Sequence, residues 1–323
     1  MSLSSESRVN TESNEYRQIV RVAKLYYEEE LTQEQIGEQL GLSRVKVNRI
    51  LQRARKIGVV KITIDAPESD PYDLEHALTI KYKLRDAVVV PDADDGEALW
   101  QALAKGAAEW LVDHLEDGMR VGLGMGRTLS HVPLYFNPPE KINCSFCEVI
   151  GGAAETSGGF ANYNVTSQMA ELAGGRAEYV YAPSILSSAE ACLSFKREPS
   201  IADALERARQ CDIILQSVGP VNKSALLYVH GYFDEKDLET LRANGAVGDA
   251  LGRFFDKSGN PFPTRLDDQI LGITLADLKQ VPWSVVVAGG SSKVPVIKAA
   301  LQGNLFSVLV TDTKTAEQLL HEG

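Results

Sequence analysis

Residues 32–57 read TQEQIGEQLGLSRVKVNRILQRARKI. The chain as a whole carries a formal charge of −11, yet the second half of this stretch is basic, and no acidic residue stands between Glu38 and Asp65. Thr32 and Gln35 fit a capping box, in which hydroxyl and amide each satisfy a free backbone N–H. Ile36 and Leu40 mark the buried face of a first short helix. Gly41 stops it, because glycine tolerates the left-handed conformation that ends a helix. Ser43 caps a second helix, in which Val47, Ile50, Leu51 and Ala54 fall at i, i+3, i+4 and i+7 and form one inner stripe. Gly58 ends it.

Two helices joined by a short glycine-containing turn, the second one basic, describe a helix-turn-helix. With the inner stripe packed, the outer face carries Arg44, Val45, Lys46, Asn48, Arg49 and Arg53. Arginine bonds two guanine acceptors at once, and asparagine does the same with adenine. Base readout is therefore assigned to Arg44, Val45, Asn48 and Arg49. Contacts to the DNA backbone are assigned to Ser43, Lys46, Arg53 and Lys56. The competing reading is a solvated basic helix. The cap, turn and inner stripe argue against it, as does the β-branched run VVKITI (59–64), expected as a strand that could form part of a wing.

Outward from this stretch, 16–30 has helical spacing, and the polar residues 1–14 look like a loose leader with no secretory signal. Residues 15–64 are read as the DNA-binding domain, DAPESDP (65–71) as the linker and 72–323 as a second domain. The charge divides accordingly. Residues 1–64 hold eleven Lys/Arg against eight Asp/Glu, a net +3; the remainder holds 22 against 36, a net −14. A small anion-binding module on a large acidic body is the reading.

In the second part, helices are expected at 72–83, 97–115, 165–173, 199–209, 293–301 and 313–320. Strands are expected at 86–91, 119–124, 146–151, 177–183, 211–219, 284–290 and 306–312. Short apolar strands separated by helices imply a doubly wound, mainly parallel α/β sheet. In such sheets ligands bind beyond the carboxyl ends of the strands. Several loops there are rich in glycine and polar groups: GLGMGRTLS (122–130), IGGAAETSGG (150–159), NYN (162–164), SVGP (217–220), NGAVGDALGRFFD (244–256) and AGGSSK (288–293). They place Gly124, Met125, Gly126, Arg127, Thr128, Gly151, Gly152, Asn164, Asp249 and Lys293 as candidate effector ligands. A carboxylate suits hydroxyls; lysine, arginine and backbone amides suit phosphate. Asp249, in a glycine-flanked loop, could equally cap a helix, and Lys293 could be a surface lysine. No ribose-binding acid follows the first loop, so a dinucleotide is not expected. His114, His131 and His230 show no ligand spacing and are read as structural or surface residues. Cys144 and Cys147 form a CxxC without a second ligand pair, so half-buried reduced thiols are expected, with no metal and no cofactor. No run spans a bilayer, and the cytoplasm is the expected location.

At these residues the sequence resembles the SorC family of sugar-binding transcriptional regulators. The resemblance covers nearly the whole chain after the leader, through YYEEELTQEQIGEQLGLSRVKVNRIL (26–51), GLGMGRT (122–128), GAVGDALGRFFD (245–256) and VAGGSSKVPVIKAAL (287–301), in the family's order. It implies an amino-terminal helix-turn-helix with an effector domain similar to the glucosamine-6-phosphate deaminase and ribose-5-phosphate isomerase fold. It also implies a sugar, polyol or phosphosugar effector, operator DNA as partner, and a homo-oligomer, often a tetramer. Gly124, Gly126, Arg127 and Thr128 would form the phosphate or sugar loop, and Asp249 and Lys293 would reach the ligand. Gly37 departs from the alanine usual inside the first helix of such motifs. The alternative is an isomerase- or deaminase-like enzyme with a DNA-binding appendage. Asp249 is its one candidate base, with no second group to match it.

Overall fold

The computed structural model describes residues 5–62, 71–94, 96–152 and 162–321, with side chains from 14 onward in the first segment and from 165 onward in the last. The chain forms two compact units, Met1–Ser69 and Asp70–Gly323.

The amino-terminal unit is helical: α1 (Ser5–Tyr27), α2 (Gln33–Leu40) and α3 (Arg44–Lys56). Helix α1 reaches back to Ser5, into the residues read from the sequence as a leader. Thr32 and Gln35 make the full capping box on α2, and Gly41 closes it at φ +64°. Ser43 Oγ accepts the Lys46 N–H at 3.2 Å to cap α3. Val22, Leu25, Ile36, Val47 and Leu51 fill one small core, and Ile19, Ala23 and Ala54 a second. Each large apolar side chain so buried contributes about 1.5–3 kcal/mol. Residues 59–62 are not a strand, which corrects the wing reading as far as the described residues go. Val59 and Val60 instead pack on the Ile19–Ala23–Ala54 cluster. Residues 63–64 and 65–70 of the expected strand and linker lie outside the described residues.

Gly37 is required where it stands. A Cβ there would meet the Leu42 carbonyl oxygen at 2.6 Å. Alanine ordinarily gains about 1 kcal/mol over glycine in a helix interior, but here it must displace backbone. Gly37→Ala is therefore expected to destabilise this unit by about 1–3 kcal/mol. Thermal melting followed by circular dichroism checks it; a more stable variant would contradict the packing.

The carboxy-terminal unit has helices α4 (Tyr72–Tyr82), α5 (Glu97–His114), α6 (Asn162–Ala173), α7 (Ala189–Arg197), α8 (Pro199–Arg209), α9 (Leu226–Val229), α10 (Glu235–Ala243), α11 (Leu275–Leu278), α12 (Val294–Gln302) and α13 (Thr313–His321). Its strands are β1 (Asp86–Val90), β2 (Arg120–Leu123), β3 (Ser145–Glu148), β4 (Arg176–Glu178), β5 (Ile213–Gln216), β6 (Gly219–Pro220), β7 (Ala246–Ala250), β8 (Arg253–Asp256), β9 (Trp283–Val287) and β10 (Val308–Asp312). Seven strands make one parallel sheet in the order β1-β10-β9-β5-β2-β3-β4, and β6-β7-β8 form a small antiparallel sheet.

Strand alternation sends side chains to two cores. Val121, Leu123, Ile213, Leu215, Val285 and Val287 face α5 residues such as Leu103 and Ala107 in one. Ile214, Val286 and Leu309 join Ile297 and Ala300 of α12 in the other. The expected strand at 177–183 is β4 alone, three residues long. The stretch read as a glycine-flanked loop, 244–256, is the β7–β8 hairpin; Ala250, Phe254 and Phe255 are buried, so it is core rather than loop.

Candidate DNA-binding face and effector cleft

Helix α3 buries Val47, Leu51 and Ala54 and turns Arg44, Val45, Lys46, Asn48, Arg49, Arg53 and Lys56 to solvent. Val45, at the second helical position, is 63 % accessible. Two of the residues named from sequence have internal duties. The Ser43 hydroxyl caps the helix, and the Arg53 guanidinium pairs with Glu15 on α1. Such an exposed pair contributes at most about 1 kcal/mol and opens readily to a phosphate.

In the second unit, the chain direction across the sheet reverses between β2 and β5. From β2 it runs to β3 and β4 on one side; β5, β9 and β10 lie on the other. The loops leaving adjacent strands at such a reversal part and leave a crevice. A cavity of about 100 Å³ lies there, widening to about 720 Å³ with its open mouth counted. Met125, Gly126, Arg127 and Thr128 line it from the loop after β2; Gln216, Ser217 and Gly219 from the end of β5 onward; Asp249 from β7; and Lys293 from the start of α12.

The walls are largely apolar, with Trp100, Val218, Pro220 and Leu226 among them, and the charged groups that line them are two cations, Arg127 and Lys293, and one carboxylate, Asp249. The Arg127 guanidinium lies 4.8 Å over the Trp100 ring and donates to the Ser224 carbonyl at 3.1 Å. The Arg127 carbonyl is tied at 2.8 Å to His131 Nδ1, whose other ring nitrogen lies 3.2 Å from Glu97. Thus His131 braces the loop. Lys293 Nζ donates to Ser217 Oγ at 3.4 Å. Lys293 and Asp249 are both half-buried. Burial pushes the Asp249 carboxyl up to about 7, against the pull of the Gly252 N–H and the Lys293 ammonium. Burial, then repulsion by Arg127, lowers the Lys293 amine to about 8, with Asp249 opposing. Asp249 sits opposite Gly219 in the β6–β7 pairing. A Cβ on Gly219 would fall 2.6 Å from its carboxylate, so the glycine makes room for the acid. Asp249 is accordingly a strand residue, not a helix cap.

Six of the ten effector residues named from sequence meet here: Met125, Gly126, Arg127, Thr128, Asp249 and Lys293. Gly124 lies beneath, where a side chain would collide with the Gln216 amide. Gly151 and Gly152 do not line the cavity. Gly151 packs against the Ala182 and Pro183 carbonyls, and Gly152 bridges to Pro183. Asn164 is in the first turn of α6, and its side chain lies outside the described residues. Ser217 opens the loop SVGP (217–220) expected to converge here, whereas Trp100 and Gln216 were not among the residues read from the sequence. For Gln216 a signal existed: a polar residue ending the apolar run IIL (213–215). Cys144, Cys147, Cys192 and Cys211 are free and fully buried, more so than expected, and the thiols of Cys147 and Cys211 touch at 3.1 Å.

A helix-turn-helix unit followed by a parallel α/β unit with a cleft at its switch point is the architecture of a ligand-responsive DNA-binding regulator. Comparison with known proteins agrees. Residues 67–321 match the sugar-binding domain family, and residues 17–56 match region 4 of sigma-70 factors. The deoxyribonucleoside regulator of Bacillus subtilis (strain 168) is 32 % identical over 304 residues, covering 94 % of this chain and 97 % of that protein. The transcriptional regulator LsrR of Enterobacter sp. (strain 638) is 32 % identical over 309 residues, covering 94 % and 92 %. The full-length sorbitol operon regulator SorC from Klebsiella pneumoniae superposes with a TM-score of 0.73 at 27 % identity, covering 94 % of this chain and 98 % of that one. The chain belongs to this SorC-type family of sugar-binding transcriptional regulators. No helix among the described residues is long and apolar enough to cross a membrane.

Proposed function

We propose that the cleft binds a phosphorylated sugar or polyol, and that its occupancy alters how α3 engages operator DNA within a cytoplasmic homo-oligomer, a tetramer by the family resemblance. The observation that carries the effector class is the pair of cations, Arg127 and Lys293, lining one cleft with the Asp249 carboxyl and the glycine loop. Arg127 already disfavours the Lys293 ammonium, so a phosphate entering between them relieves a repulsion. Asp249 then accepts or donates to sugar hydroxyls. Base contacts are proposed for Arg44, Val45, Asn48 and Arg49, and phosphate contacts for Ser43, Lys46, Arg53 and Lys56. The names of the relatives, a deoxyribonucleoside regulator and a sorbitol operon regulator, support a carbohydrate-derived effector and a regulatory rather than catalytic role.

The test is calorimetric titration with ribose 5-phosphate, 2-deoxyribose 5-phosphate and glucitol 6-phosphate, each beside its unphosphorylated form. At least one phosphate ester is expected to bind at least about tenfold tighter than its parent, since a charged hydrogen bond contributes about 1.5–3 kcal/mol. The affinity depends on pH with a worked sign. A phosphate monoester is a dianion above about pH 6, and Lys293 loses its proton through about 8. Asp249 ionises through about 7 and sets a second negative charge beside the dianion, so binding is strongest from about pH 6 to about 7, weakens above that and falls further above about 8. Parent sugars binding as tightly as their phosphates, with no loss above that pH, would overturn the reading.

A further inference from the structure

We propose that Asp312 is the positioning residue that fixes the Lys293 side chain in the effector cleft, acting through the backbone of Gly290. This rests on the reading of the cleft as the effector site. Asp312 ends β10, next to β9 in the sheet, so its side chain reaches the loop that leaves β9. It is 4 % exposed. Its Oδ2 accepts from the Gly290 N–H at 2.8 Å and the Thr315 hydroxyl at 2.7 Å, and its Oδ1 accepts from the Thr315 N–H at 3.0 Å. The Gly290 N–H is shared with Thr315 Oγ1 at 2.9 Å. Gly290 stands at φ +91°, and its carbonyl accepts the Lys293 N–H at 2.9 Å, closing the short 3₁₀ turn from which Lys293 extends to Ser217. A Cβ on Gly289 would land 2.2 Å from Asp312 Oδ2. Gly289 and Gly290 look in sequence like glycines that let a ligand approach; in the structure they admit a buried carboxylate.

A purely structural role would make Asp312 only the cap of α13, through the Thr315 N–H. Asp312→Ser separates the two roles. Serine is a good helix cap but too short to reach Gly290. Gly289→Ala crowds the carboxylate from the loop side and leaves the α13 cap residue unchanged. The readout is modification of Lys293 by dinitrofluorobenzene in the full chain without effector, from about pH 7 to about pH 11, quantified by peptide mass spectrometry. Wild type is expected to reach half-modification near pH 8. Both variants are expected to move toward the ordinary lysine value of 10.5 as the amine is freed into water; each disturbs a buried hydrogen-bonded carboxylate and should melt some degrees below wild type, with unchanged far-ultraviolet circular dichroism showing that it folds. An unchanged Lys293 profile in the folded variants overturns the proposal. Should Asp312→Ser fail to fold, Gly289→Ala decides alone. Because no effector enters the assay, the outcome is independent of the effector reading. A shifted profile with unaltered phosphosugar affinity would sink that reading and leave the positioning role standing.

Discussion

Replacing Asn48 and Arg49 together by alanine is expected to lower affinity for operator DNA at least about thirtyfold at fixed salt. Each bidentate base contact contributes about 1–3 kcal/mol of discrimination, and both side chains lie on the exposed face of α3. Alanine is the best helix former, and the buried Val47, Leu51 and Ala54 are untouched, so the unit should melt as wild type does. The loss should fall on the specific site and spare most of the affinity for random DNA, which rests on phosphate contacts and counterion release. Lys46→Ala should do the opposite, weakening both DNAs alike and reducing the salt slope by about one. Fluorescence anisotropy with operator and scrambled duplexes separates the two patterns. Equal losses of Asn48/Arg49 variants on both duplexes would remove these residues from base readout.

Lys293→Met is expected to abolish the response to effector while leaving DNA binding intact. Methionine fills the same volume without charge. Truncating one partner of a buried charged pair typically costs about 2–5 kcal/mol of binding, so phosphosugar affinity should drop by about thirtyfold or more. The fold should not suffer. The Lys293 amine is lowered from 10.5 to about 8 in the folded chain, so the unfolded chain binds more protons between those values. Wild-type stability therefore rises with pH through that window, and the cost of holding the ammonium is fully present below about 8. The variant lacks this term and should melt at or above the wild-type temperature near neutral pH, with the difference closing as pH rises. A markedly less stable Lys293→Met protein would mean that the amine holds the fold together instead of waiting for a ligand.

The two units differ in how plainly their sequences declare them. In the helix-turn-helix, each local choice agrees with the fold: Thr32 and Gln35 cap, Gly41 turns, Ser43 caps again, and the inner stripe repeats at helical spacing. Such consistency between levels makes a sequence readable. The parallel sheet shows itself through short apolar strands between helices, and the cleft follows from where strand order reverses.

The hairpin around Asp249 hides because glycine serves there as packing. Gly248 lies where a side chain would collide with Val296 and the Gly219 carbonyl, yet in sequence it signals a loop. Gly151 misleads in the same way, being tight against Ala182 and Pro183. Trp100 sits in a helix whose other spacing is that of core, and nothing local marks its turn toward Arg127. Nor does any local signal show that Asp312, far along the chain, holds the loop that carries Lys293.

The central claim is that occupancy of the cleft changes DNA binding. The direct measurement is the affinity of labelled upstream intergenic DNA for the full-length protein, with and without a saturating phosphosugar that binds the cleft. A coupling of about 1–3 kcal/mol, or roughly 5–150-fold in affinity, is the expected range. The account predicts such a change for wild type and none for Lys293→Met. A phosphosugar that saturates the wild-type cleft and leaves DNA affinity unmoved would contradict it.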